Sequence, residues 1–292
     1  MTEKIHTFFE NHKVKAVESL IESIDNGEHN DVEIILDDGV IRASKLILSS
    51  RSEYFQKMFD KKSQFVEQKQ NSAKFSCKKR LMMKIIAHIY GGELLVSDLT
   101  CLEIIEMMDM LRLLLLLPTY HVLKSHIYRK IFERDLSIRE CLEAVEIAHS
   151  LKFERITQDL VWHLIINMDH LADDYVEDIG DLSKEIIVKM FTFLHKIEAI
   201  DKFSMIPCVE MYKEISKLKI VQHWAESNRE DVTEELKQTL FQCFDLTNFS
   251  VEDLLGDVRK SKFFSDEEVF EAVKTVHKKA QDKIRELESN RN

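Results

Sequence analysis

The chain has 292 residues, a formal net charge of −11, and 45% hydrophobic against 32% charged residues. That length holds one or two domains with a substantial core. The acid excess argues against a nucleic-acid partner, because the run Lys78-Lys79-Arg80 is too short to reverse it.

In chain order, residues 12–26 predict a helix: Val14, Val17, Leu20, Ile21 and Ile24 share one face and Gly27 stops it. Residues 31–36 predict a strand, with β-branched Val32, Ile34 and Ile35. Asp37-Asp38-Gly39 predicts a tight hairpin, with Gly39 supplying a positive φ, and residues 40–43 form the returning strand. Brief strand signals recur near residues 74–77 and 93–96. The rest reads as helix, as expected of a chain with only 6 Gly and 2 Pro, which also excludes an all-β fold.

Residues 81–90 carry Leu81, Ile85, Ile86 and Ile89 on one face. Thr100 with Glu103, Ser137 with Glu140, and Ser265 with Glu268 have the spacing of capping boxes, in which each side chain binds the other's backbone N–H. They open helices reaching Met110, one carrying Leu142, Val145 and Ala148, and a last one striped by Val269, Val273, Val276, Ala280, Ile284 and Leu287. Residues 153–168 form another, with Ile156, Leu160, Leu164 and Ile165 inward. The leucine run 113–117, bounded by Arg112 and Pro118, is far short of the roughly 20 residues a membrane span needs and is expected to be a buried helix end. No membrane association is expected, and residues 1–10 lack the apolar core of a secretory signal. The architecture is an α+β unit over residues 1–128 followed by an all-α array over 129–292.

Five cysteines, Cys77, Cys101, Cys141, Cys208 and Cys243, form no C-x-x-C pair, so a zinc knuckle is not expected and reduced thiols of the cytosol or nucleus are. His149, His163 and His170 lack a third ligand at metal spacing, and no nucleotide-binding or hydrolase motif occurs. The expectation is a non-enzymatic chain without cofactor or metal.

An ordered series of segments resembles the BTB/POZ family over about a hundred residues. Ala43-Ser44-Lys45 stands where that family has Ala-His-Lys, Leu46 to Phe55 is similar to its "VLAARSxYF" segment, Met58-Phe59 follows in register, and Ile89-Tyr90-Gly91-Gly92-Glu93-Leu94 is similar to "IYTGEL". Ser44 departs from the usual His. The second half resembles the BACK domain of Kelch-like adaptors through Cys141 to Ala148 and through His223-Trp224-Ala225-Glu226-Ser227-Asn228, with Phe249-Ser250 and Leu254-Leu255 where the closing helices begin. After Asn248 too few residues remain for a Kelch propeller, whose blades take roughly 50 residues each.

The resemblance implies a homodimer in which Phe8, Phe9, Val14, Val17, Leu20 and Ile21 cross to the partner, and in which Asp31 and Lys45 pair near the two-fold contact. It further implies cullin-3 binding through Phe65-Val66-Glu67, an apolar anchor with an acid to fix register. A groove on the helical pair beyond residue 128 would be lined by Leu142, Val145, Phe153 and Ile156. The implied function is a substrate adaptor or regulatory subunit of a cullin-3 RING ubiquitin ligase, with an unidentified protein substrate. The alternatives are a heterodimerising scaffold without a ligase link, or a transcriptional co-regulator.

Overall fold

The computed structural model describes residues 19, 22, 30–60, 71–133, 135–201, 214–230 and 232–289. Contacts divide the chain into two units, Met1–Glu133 and Arg134–Asn292. The helix expected over 12–26 falls, apart from positions 19 and 22, outside the described residues.

In the first unit β1 (Val32–Leu36) pairs antiparallel with β2 (Gly39–Ala43), and β3 (Ser72–Lys74) adds parallel on the other side, giving the order β2-β1-β3. Val32, Ile34 and Leu36 alternate inward with Ile41 and Ala43, so one face of the sheet is buried. Gly39 lies in the strand opposite Leu36, not in the turn as expected. The reversal is made by Asp37 and Asp38, neither of which has a positive φ. Their carboxylates are engaged elsewhere: Ser76 Oγ donates to Asp37 (3.0 Å) and the Lys79 amide to Asp38 (2.6 Å).

Four helices cover the buried face with α5 beside them. They are α1 (Lys45–Arg51), α2 (Glu53–Phe59), α3 (Lys79–Ile89) and α4 (Cys101–Leu113), and α5 is Leu117–Phe132. Leu81, Ile85, Ile86 and Ile89 are fully inward, as their spacing required. Tyr54, Phe55, Phe59 and Phe75 form an aromatic cluster, with Phe55 stacked on Phe59 at 5.8 Å between ring centres. The Thr100–Glu103 capping box closes in both directions at the head of α4. Residues 93–96 are irregular, not a strand. The leucine run is not a buried helix end either: Leu114 and Leu116 are buried, while Leu113, Leu115 and Leu117 face outward at the turn between α4 and α5.

The second unit, among its described residues, is helical: α6 (Ile138–Ser150), α7 (Glu154–Ile166), α8 (Met168–Asp174), α9 (Val176–Ile179), α10 (Lys184–Asp201), α11 (Glu214–Ser227) and α12 (Glu234–Phe241). A short α13 (Val251–Asp253) runs through a π-helical turn (Leu254–Val258) into α14 (Arg259–Ser261), and α15 (Asp266–Ser289) follows. The Ser137–Glu140 box caps α6. Trp224 is buried, its indole N–H donating to the Leu182 carbonyl (2.7 Å), and the Asn228 amide donates to the Gly180 carbonyl (2.9 Å). Gly180 allows that approach, since a Cβ there would meet Ser227 Oγ at 2.7 Å. The Trp224 and Asn228 pattern thus clamps one turn. The stripe on α15 is used only in its first half: Val269 and Ala272 are buried with Leu218, Phe249, Leu254 and Val258, whereas Ala280 and Ile284 are exposed.

Candidate protein-interaction surface

Two acids at the ends of β1 hold two helix starts. Asp31 Oδ1 accepts from the Lys45 backbone N–H (2.7 Å), capping α1, and Asp38 does the same for α3. Neither N-cap residue, Ser44 nor Lys78, supplies a side-chain cap of its own. A carboxylate at a helix N-terminus satisfies an orphan amide and meets the positive end of the dipole. Asp31 and Lys45 are therefore joined, but not as the ion pair expected. The Lys45 ammonium turns to Asn71 Oδ1 and lies 5.5 Å from the Phe59 ring centre. Ser44 donates its backbone N–H to the Tyr90 hydroxyl (2.7 Å), linking the two segments that carry the family resemblance. Burial raises the Tyr90 phenol above its ordinary range.

The turn after α4 is the second feature. Leu115 N–H bonds the Arg112 carbonyl (3.2 Å) and Leu116 N–H bonds Leu111 (2.8 Å), the pair of bonds that ends a helix through one left-handed residue. That residue is Leu115, at φ 57°. Ser52 fixes the turn in place: its hydroxyl donates to the Leu114 carbonyl (2.8 Å) while accepting from Phe55 N–H (3.3 Å) at the head of α2. Exposed Leu113, Leu115 and Leu117 are thus held beside α2, the helix whose far end leads into residues 61–70.

The remaining expected contacts divide in two. Phe8, Phe9, Val14, Val17, Leu20, Ile21, Phe65 and Glu67 lie outside the described residues. Leu142, Val145, Phe153 and Ile156 are all buried within their own unit, so they offer no groove to a partner. Helical spacing marks the apolar face of a helix but not what covers it, and here α6 and α7 cover each other. Among the described residues no cluster of His, Cys, Asp and Glu could hold a metal ion. Cys77, Cys101, Cys141 and Cys243 are buried thiols outside any disulfide, and burial together with nearby Glu106, Asp37 and Asp38 pushes the Cys77 thiol up to about 11.

The BTB/POZ domain profile matches residues 20–123, spanning the three-stranded sheet, α1 to α4 and the start of α5. The chain carries a BTB/POZ domain. BTB domains commonly dimerise and bind partner proteins, so this one marks the chain as a protein-interaction adaptor. No curated protein matches the chain. No helix among the described residues is long and apolar enough to cross a membrane. Sequence reasoning missed Ser52, which sits inside the family-like segment but whose partner is 62 positions away. It also missed Leu115, although a leucine run with no Gly before Pro118 was the available signal.

Proposed function

We propose that this chain is a dimeric adaptor of a cullin-3 ubiquitin ligase, acting in the cytosol or nucleus and carrying no chemistry of its own. It raises the effective concentration of a bound protein substrate near the ubiquitin-conjugating enzyme, and a dimer doubles the docking sites. The BTB/POZ domain at residues 20–123 carries this reading, because in its frame Phe65-Val66-Glu67 falls between α2 and β3. Further support comes from the exposed leucines of the α4–α5 turn, tied by Ser52 to the same α2. Exposed apolar anchors of this kind dominate interface energies.

The test is size-exclusion chromatography with the cullin-3 N-terminal domain. The wild-type chain is expected to co-elute with it, and the double substitution Phe65→Ala with Glu67→Ala to abolish co-elution. Unchanged co-elution, or none with the wild type, defeats the ligase assignment. One observation favours a second reading, a scaffold that pairs with other BTB proteins: the helical-pair residues expected to meet cullin-3 are core. Under that reading neither form co-elutes.

A further inference from the structure

The chain has two long stretches without a carboxylate, residues 68–92 and 110–132, and in each some cations reach acids outside the stretch. In the first, Arg80 and Lys84 both bond Asp98 at 2.9 Å, and Arg80 also bonds Glu103. In the second, Arg112 bonds Asp109 (2.6 Å), whereas Lys124 and Lys130 on α5 meet no carboxylate among the described residues, and the Lys124 ammonium lies 5.8 Å from the Tyr128 ring centre. Arg129 donates to His126 Nδ1 (3.3 Å), and its one carboxylate neighbour among the described residues is Glu133, at 3.9 Å and with both side chains 60% exposed, a contact worth little. The field of these cations is felt locally. Burial first, then Arg129 and Lys130, hold the His126 imidazole below its ordinary range.

The same helix displays apolar side chains. Leu123, Ile127 and Ile131 face the core. On the opposite side Val122, Ser125, Arg129 and Phe132 follow at steps of three, four and three, which places them on one stripe. Val122 is 68% exposed and Phe132 86%. A bulky ring left almost wholly in water on the stripe of Arg129, with half-buried Lys124 and Lys130 on the flanks of the same helix, is a surface suited to contact.

We infer that the outer face of α5, from Val122 to Phe132, docks an acidic protein segment bearing bulky apolar side chains. Its carboxylates meet Arg129, Lys124 and Lys130, and its apolar groups cover Phe132 and Val122. Charge complementarity selects this occupant. A phosphate backbone needs a denser row of cations than three over ~15 Å of helix. The inference does not depend on cullin-3 binding, which is placed on other residues.

Random displayed peptides of about 12 residues, ~18 Å as a helix, would be panned on the immobilised full chain. Recovered clones would be screened on Arg129→Glu/Lys130→Glu and on Phe132→Ala, both exposed positions whose thermal melts serve as folding controls. The expected clones are rich in Asp, Glu, Leu, Phe and Trp, lose roughly tenfold or more in affinity on the charge reversal, and weaken on Phe132→Ala. Clones that ignore both substitutions, or sensitive clones that are neutral or basic, overturn the assignment. So does a single-stranded oligonucleotide or a phosphatidylserine vesicle that binds through these residues while peptides do not.

Discussion

The turns that end α3 and α4 are built from the same two backbone bonds and filled by different residues. After α3, Gly91 N–H bonds His88 (3.0 Å) and Gly92 N–H bonds Ala87 (2.9 Å), with Gly91 at φ 107°. After α4, the left-handed position belongs to Leu115. Left-handed backbone costs a side-chain-bearing residue about 1–2 kcal/mol, and glycine avoids this. Both turns are also latched by a side chain. His88 Nδ1 bonds the Gly92 carbonyl (3.0 Å), which makes Nδ1 the donor, and Nε2 then accepts from the Thr119 hydroxyl (2.9 Å). Ser52 does the equivalent for Leu114. Glycine meets the demand of the turn after α3 without strain, whereas the turn after α4 is made at the cost of holding a side chain in the left-handed region, and that side chain stays 39% exposed.

The latch is where the largest effect is expected. Ser52→Ala removes an N-cap, worth about 1 kcal/mol, and leaves the buried Leu114 carbonyl without its partner, worth about 1–3 kcal/mol. A loss of roughly 2–3 kcal/mol in chemical denaturation should follow, with the α4–α5 turn loosened in amide exchange. A loss under about 0.5 kcal/mol would show that the turn holds itself, as neighbouring surface changes typically do. Next comes Gly91→Leu, which imposes on the α3 turn the residue that α4 tolerates. About 1–2 kcal/mol of destabilisation is expected, read from the same denaturation curve. If it is neutral, glycine is incidental there and the comparison collapses.

Much of the fold was legible because it is local. The inward faces of β1 and α3 repeat at strand and helix period, and the capping boxes at Thr100 and Ser137 are complete within four residues. What sequence could not reveal is long-range. Asp31 and Asp38 cap helices 14 and 41 positions away, so each looked like a strand-end charge or half of an ion pair. Leu142 and Ile156 suggest a groove in sequence because an apolar stripe looks the same whether a partner or the neighbouring helix covers it, and here both are buried. The α4 stop escaped because its signal residue is absent: a helix end is recognised by glycine, and Leu115 stands in that place.

The smallest effect is the most discriminating. Leu115→Gly relieves about 1–2 kcal/mol of left-handed strain but restores about 0.5–1 kcal/mol of backbone freedom to the unfolded chain, so the net gain is near 0.5 kcal/mol. The backbone bonds to Arg112 and Leu111 require no side chain at Leu115, so the turn itself should persist. If Leu115 serves only the fold, the variant is slightly more stable and otherwise unchanged. If the exposed turn forms part of the adaptor surface, the more stable protein is the poorer binder, and its affinity for the cullin-3 N-terminal domain, by calorimetry, falls several-fold as an apolar anchor is lost. Stability and binding moving in opposite directions is an outcome that misfolding cannot imitate. The same substitution at Lys152, which ends α6 at φ 60° through equivalent bonds, supplies the control: there stability should rise by a similar amount and binding stay fixed.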